Sequence, residues 1–262
     1  MTSIECHAAC RRGWVYAMVF PLAMLLAPVG VNAQSVSIES GAIWQTDDAV
    51  VDFDCATLDV AGTLAAQDAD IAGIGQLAIS GVVSAEAATI DVGGDWNNQG
   101  NFVAGSSVVR LVDRCDATAA SISGSTDFST LLIESARGKA YQFAAGLTQT
   151  VATTLRLAGA SGVLMPVGST QPGTQASLGL NLSGNQDIAW IQASDMVAPE
   201  GYAWIARGAP EVFNSVDAGN NFRWFGAAPV EIPMPIPVNS SWALLALLLA
   251  LVGAARRRIR WR

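Results

Sequence analysis

LDVAGTLAAQDADIAGIGQLAISGVVSAEAATIDVGGDW, residues 58–96, decides the fold class. Within it LDVAGTL (58–64), LAISGVV (77–83) and IDVGGDW (90–96) share one outline: apolar, any, apolar, any, glycine. Alternation with a period of two sends successive side chains to opposite faces of a strand, and glycine closes each segment before a helical period can develop. The same pattern returns in LLIES (131–135), AYQF (140–143), TLRLAG (154–159) and IAWIQ (188–192). In TLRL, Leu155 and Leu157 face one way and Arg156 the other. From Gln34 to about Gly226 no stretch sustains helical periodicity, and the only lysine is Lys139. The body reads as all-β.

Two architectures fit such a body. A sandwich is built from hairpins with tight turns, whereas a parallel β-solenoid stacks short strands coil upon coil, with small apolar residues inside and glycine or asparagine at the corners. The segments are short and rich in Ala and Gly, and they lack the Asn-Gly or Asp-Gly turns that antiparallel pairs prefer. We therefore expect a parallel β-solenoid, with a β-sandwich as the alternative. Gly62, Gly75, Gly81 and Gly94 follow one another at intervals of 13, 6 and 13, which reads as an irregular rhythm and not a clean repeat. Cys55 and Cys115 offer a check. With about 20 residues per coil they lie some three coils apart, roughly 14 Å at the strand spacing, so a bond between them argues against uniform stacking.

Both ends differ from this body. Arg11 and Arg12 precede an apolar run from Trp14 to Leu26, and Val31 and Ala33 give the small-x-small pattern that a signal peptidase cuts before Gln34. The run is interrupted by Pro21 and Pro28, which disfavours a membrane span, and CRRGWVY is a poor twin-arginine signal. Residues 1–33 are thus expected to be a signal peptide, residues 34–226 the β body, 227–238 a proline-rich spacer, and 239–262 a hydrophobic helix with an arginine cluster. The spacer carries Pro229, Pro233, Pro235 and Pro237 and should extend as a stiff arm. Trp242 to Ala255 is apolar, and counting from Ile236 gives about 20 residues, just enough to span a bilayer. Arg256, Arg257, Arg258, Arg260 and Arg262 then stay on the cytoplasmic side, in agreement with an outward-bound body.

Removing the signal peptide takes away His7, the sole histidine, together with Cys6 and Cys10. Ser-His-Asp and Cys-His mechanisms and the usual structural zinc sites go with them. Without the signal peptide and the terminal arginine cluster the chain keeps seven of the 14 basic and 21 of the 22 acidic residues, near minus 14. Such a surface repels phosphate backbones, so nucleic acid is excluded as a partner. Asp47, Asp48, Asp52, Asp54 and Asp59 are the best place for a cation such as calcium, although no glycine-punctuated calcium loop is present. Asp91, Asp95, Asp113 and Asp116, with Arg110 and Arg114 nearby, are the carboxylates a solenoid lyase or glycosidase would use. Trp44, Trp96, Trp204 and Trp224 could present indole faces to sugars, with core packing as the alternative fate. No cofactor is expected.

GGDWNNQGNFVAGSSVVRL (93–111), SISGSTDFSTLLIE (121–134) and DAGNNFRWF (217–225) resemble modules of large bacterial secreted and surface proteins of the adhesin type. That resemblance implies a β-coil architecture and a surface location. On it, Trp96 and Phe102 fill coil interiors, Asn97, Asn98 and Gly100 supply a turn tolerant of positive φ, and Asn220 and Asn221 repeat the device. The last 27 residues resemble the C-terminal sorting signals handled by exosortase-type membrane enzymes: a short motif, one hydrophobic helix, an arginine cluster. Ile236, Pro237, Ser240 and Trp242 match the subgroup whose tail reads Ile-Pro-Thr-Leu-Ser-x-Trp, and Val238 and Asn239 depart from it. The resemblance implies a Gram-negative exported protein, tethered at the inner membrane and then cut and released or moved to the cell surface. Its partners would be signal peptidase, the exosortase-type enzyme, the inner membrane in transit and surface glycans. A permanent anchor would satisfy the same tail. The expected role is structural or adhesive and not enzymatic; a solenoid carbohydrate-active enzyme or a glycan-binding protein is the alternative.

Overall fold

The computed structural model describes residues 35–226. The first four coils carry three short strands each. They are β1 (Ser35–Ile38), β2 (Ile43–Gln45) and β3 (Val50–Asp52); β4 (Thr57–Val60), β5 (Thr63–Ala65) and β6 (Asp70–Ile74); β7 (Gln76–Ile79), β8 (Val82–Ser84) and β9 (Thr89–Val92); and β10 (Trp96–Asn98), β11 (Asn101–Val103) and β12 (Val108–Leu111). In the next two coils the second and third strands fuse, giving β13 (Ala119–Gly124) with β14 (Thr126–Glu134), and β15 (Ala140–Phe143) with β16 (Thr148–Ala158). The chain closes with β17 (Met165–Ser169), β18 (Ala176–Leu180), β19 (Asn185–Ala189), β20 (Ile191–Ser194), β21 (Met196–Val197) and β22 (Val216–Asp217), a 3-10 turn at Pro210–Phe213 preceding the last. No α-helix occurs among the described residues.

Every ladder between these strands is parallel, and they line up as three sheets. Sheet A runs β1-β4-β7-β10-β13-β15-β17-β20-β22, sheet B runs β11-β8-β5-β2, and sheet C runs β21-β18-β16-β14-β12-β9-β6-β3 with β19 on β16. The fold is a parallel β-solenoid and not a sandwich: neighbours in each sheet are one coil apart in sequence.

The repeat is cleaner than the glycine intervals suggested. Thr63 pairs with Val82 and Val82 with Asn101, two steps of 19 residues. The four glycines belong to two columns at different corners. A Cβ on Gly81 would stand 2.0 Å from the Gly62 carbonyl oxygen, and one on Gly100 would stand 2.2 Å from that of Gly81. At the other corner a Cβ on Gly94 would meet the Gly75 oxygen at 2.0 Å. Successive backbones approach too closely there for any side chain, so the requirement is for space and not for positive φ.

Inward positions stack like on like. Leu58, Leu77, Trp96, Ile122 and Phe143 form one buried column of sheet A, and Ile71, Ile90, Val109, Leu131 and Leu155 form one of sheet C. Where the coil widens, Trp96 packs edge-on against Phe102 at 5.1 Å and tilted against Phe128 at 5.2 Å between ring centroids, and its Nε1 donates to Thr126 Oγ1 at 3.1 Å. Trp96 and Phe102 thus fill coil interiors as expected. Asn97, Asn98 and Gly100 do not form a positive-φ turn: Trp96–Asn98 is strand, and none of the three has positive φ. Asn98 is instead buried, its Nδ2 donating to Thr126 Oγ1, because a lone inward polar group next to the widened coil finds a hydroxyl partner there. Asn220 does take positive φ, at 56°, while Asn221 acts through its side chain, accepting from Met196 N and donating to Ala193 O.

Candidate functional site

Charged chemistry collects at the corner where sheet C hands over to sheet A. Cys55, between β3 and β4, is bonded to Cys115, between β12 and β13, with Cα atoms 5.3 Å apart. The bond was expected to argue against uniform stacking, and the stacking is not uniform: the step from Trp96 to Ile122 is 26 residues where Thr63 to Val82 is 19, whereas the separation of about 14 Å taken from strand spacing is not what the corner shows. The strands between the two corners stay paired, with one irregularity between Ile71 and Ile74 in the β6–β9 ladder, and both cysteines lie outside the strands, at positive φ of 65° and 63°. The intervening corners are cut down to glycine, leaving a trench along the axis. The longer corner after β12 folds back into it: a Cβ on Gly93 would stand 2.8 Å from Cys115 Sγ and 2.8 Å from Arg114 O. Arg114 reaches past the disulfide to Asp52 at 2.9 Å. The backbone N–H of Asp54 and the Arg114 guanidinium hold the Asp52 carboxyl below the usual carboxylate range.

The next corner adds a second brace, which sequence reasoning missed. Asp113 Oδ2 accepts from Ser135 Oγ at 3.1 Å and from Arg137 N at 2.9 Å, and Arg137 also donates to Asp113 O. Beneath it lies Lys139, buried, with Nζ donating to the carbonyls of Gly93 and Val112 and standing 5.1 Å from the Tyr141 ring centroid. Burial lowers the Lys139 amine from its ordinary range, with Asp113 and Asp95 opposing the shift. The available signal was that a chain with a single lysine places it within a β motif, at SARGKAYQF (135–143).

The proposed carboxylates are dispersed. Asp91 faces Arg110 across one rung at 3.3 Å; desolvation raises its carboxyl, Arg110 opposes, and its Oδ1 has no hydrogen-bond partner among the described residues. Asp95 Oδ1 accepts the N–H of Ser121 at 2.7 Å, and Asp116 lies on the surface 3.4 Å from Arg137. Asp91 and Arg110 are thus brought together, as are Asp113 and Asp116 through Arg137, but the four carboxylates share no one cleft. Farther along sheet C, Arg156 bridges Glu134 in one rung and Asp187 in another. Of the candidate cation ligands, Asp47 and Asp54 sit in turns at positive φ, Asp59 points outward from sheet A, and Asp52 is engaged by Arg114. No group of three such side chains converges on a metal position among the described residues.

The tryptophans divide. Trp96 and Trp224 are buried, Trp44 is half-buried against Phe53, and Trp204 is half-buried with Arg207 and Arg223 near its ring at 5.8 and 5.9 Å. Core packing therefore claims Trp96 and Trp224. Two shallow depressions mark the surface, of about 130 Å³ beside Arg137 and Lys139 and about 230 Å³ on sheet A. Both fall below the size of a pocket that encloses a drug-sized ligand. The signal-cleavage pair Ala33 and Gln34, the motif residues Ile236, Pro237, Ser240 and Trp242, and the arginines Arg256, Arg257, Arg258, Arg260 and Arg262 lie outside the described residues. No protein-family model matches the chain, and neither curated proteins nor solved structures yield a match to it.

Proposed function

We propose that this chain is an exported structural or adhesion-type protein of the cell surface or extracellular space, delivered by the signal peptide of residues 1–33. Its tail holds it at the inner membrane until an exosortase-type enzyme cuts near Ile236, Pro237, Ser240 and Trp242. The observation that carries this reading is the Cys55–Cys115 pair, two corners joined across several coils, because such bonds persist in oxidising compartments and not in a reducing cytosol. Shallow side faces, and cations spent on neighbouring carboxylates, support a role in contact more than in turnover. Fractionation and intact-mass measurement on the native host test it. The expected product begins at Gln34 and lacks the arginine cluster; a full-length chain in the cytosol refutes export, and an exported chain that keeps Arg262 refutes cleavage.

One observation favours a second reading, a solenoid carbohydrate-active enzyme: burial raises the Asp91 carboxyl, as a general acid needs, although Arg110 opposes the shift. Depolymerisation of acidic or neutral polysaccharides that is abolished by Asp91→Asn would establish it.

A further inference from the structure

The larger depression lies on the outer face of sheet A and is uncharged but for one residue, in a body that is strongly acidic. Its floor is set by strand register. Gln142 pairs with Gly168 and Gly168 with Ser194, and Pro166 pairs with Gln192, so two outward columns run side by side along the solenoid axis. Gly168 is the notch in the first column: a Cβ there would stand 2.8 Å from Ser194 Oγ, and without one the floor drops by a side chain between Gln142 and Ser194. Pro172, in the turn that follows β17, forms a wall.

The chemistry of this trough is amide, hydroxyl and pyrrolidine. Gln142 and Gln192 are exposed, and neither side-chain amide has a hydrogen-bond partner among the described residues. Each offers two N–H donors and a carbonyl acceptor, which suits vicinal hydroxyls that both give and receive. The one carboxylate at the rim, Asp195, accepts from Asn220 Nδ2 at 2.6 Å. With no cation in the trough and an acidic body around it, an anionic ligand is repelled and a neutral one is not. The depression, about 230 Å³ and open, accommodates one sugar unit of a chain and not a whole enclosed ligand. Rungs about 4.8 Å apart along the axis offer successive polar contacts to a polymer laid across them.

We propose that this trough, with Gln142, Gly168, Gln192 and Ser194 at its centre, binds a neutral polysaccharide lying along the solenoid axis. The proposal deepens the surface-protein reading and rests on it for its setting. The test is isothermal titration of the mature exported protein with the neutral hexasaccharides of β-1,4-glucan, β-1,3-glucan and β-1,4-xylan, and with hexagalacturonate as the acidic probe. At least one neutral probe should bind, Gln142→Ala and Gln192→Ala should each weaken it by about fivefold, as the loss of one hydrogen-bonded group does, and hexagalacturonate should not bind. Both substitutions are on exposed side chains, and circular dichroism checks that the coil is intact. The proposal is overturned if no neutral probe binds, if the acidic probe binds equally, or if the double variant binds as the parent does. Localisation is measured separately, so a cytosolic chain defeats the setting and leaves the binding result standing.

Discussion

Removing the Cys55–Cys115 bond is the sharpest perturbation of this architecture. The two residues are 60 apart in sequence, and on the chain-entropy account cross-linking a loop of that length stabilises the fold by about 4 kcal/mol. Other contacts of the corner offset little of the loss: the Arg114–Asp52 pair is half exposed, and ion pairs open to solvent contribute little. In a domain of this size each kcal/mol moves the melting temperature by about 2–4 °C, so the double variant Cys55→Ala, Cys115→Ala should melt about 10 °C below the parent. A solenoid is bound chiefly to its nearest neighbours, so the damage should be graded. Amide exchange should accelerate most in β1 to β6, which then depend on stacking alone, and least beyond β15. Urea titration, differential scanning calorimetry and exchange mass spectrometry on the oxidised parent and the double variant provide the measurement. A loss below about 1 kcal/mol would refute the reasoning, as would protection lost evenly along the axis, since either outcome means that the bond does not hold the first coils to the fourth.

Trp96→Ala empties the widened coil of its largest side chain and leaves Phe102 and Phe128 facing a void, so urea midpoints should fall by an amount worth about 3–5 kcal/mol. Gly81→Ala places a methyl 2.0 Å from the backbone oxygen of Gly62, which cannot yield without parting two rungs; thermal melts should report about 3 kcal/mol or more. Gly146→Ala is the control, open on all sides but at φ +72°, with a cost of about 1 kcal/mol from handedness alone. Because burial holds Lys139 below its ordinary pKa, the unfolded chain binds the extra proton in the window between the folded value and that of free lysine. Its contribution therefore rises with pH there. Urea midpoints measured up to about pH 10, before Tyr141, whose hydroxyl burial raises, begins to act in the opposite direction, should climb in the parent and lose that slope in Lys139→Met.

The interior of this fold was written locally, and its period was not. Leu58, Leu77 and Ile90 announce inward positions by alternation alone, and a parallel stack follows from short glycine-closed strands without hairpin turns. The 19-residue step was hidden because each coil spends two glycines at two different corners. Intervals of 13 and 6 look irregular until they are recognised as one coil divided between the Gly62–Gly81 column and the Gly75–Gly94 column. The misread asparagines have a similar cause. A local rule assigns NNQG to a turn, whereas Asn98 points inward to Thr126, a residue from the next coil that no local rule can bring near.

The corner was least legible for a geometric reason. A solenoid measures distance along its axis in rungs, but only where side chains lie in strands; at a corner the backbone is free to travel along the axis. Cys115 lies in the longer corner following β12, and that extra length spans corners reduced to Gly75 and Gly93, so a separation computed from strand spacing places it too far from Cys55. The same freedom lets Lys139 reach carbonyls of two other coils while its own strand keeps register. Pairing in the strands obeys the opposite rule. Asp91 meets Arg110, and Arg156 meets Asp187, because residues one coil apart share a column, and a column spreads charges at one per rung instead of gathering them around a point. Columns of this kind repeat one contact from rung to rung, which is why the side faces, and the trough across Gln142 and Gln192 first among them, are where binding of a polymer should be sought.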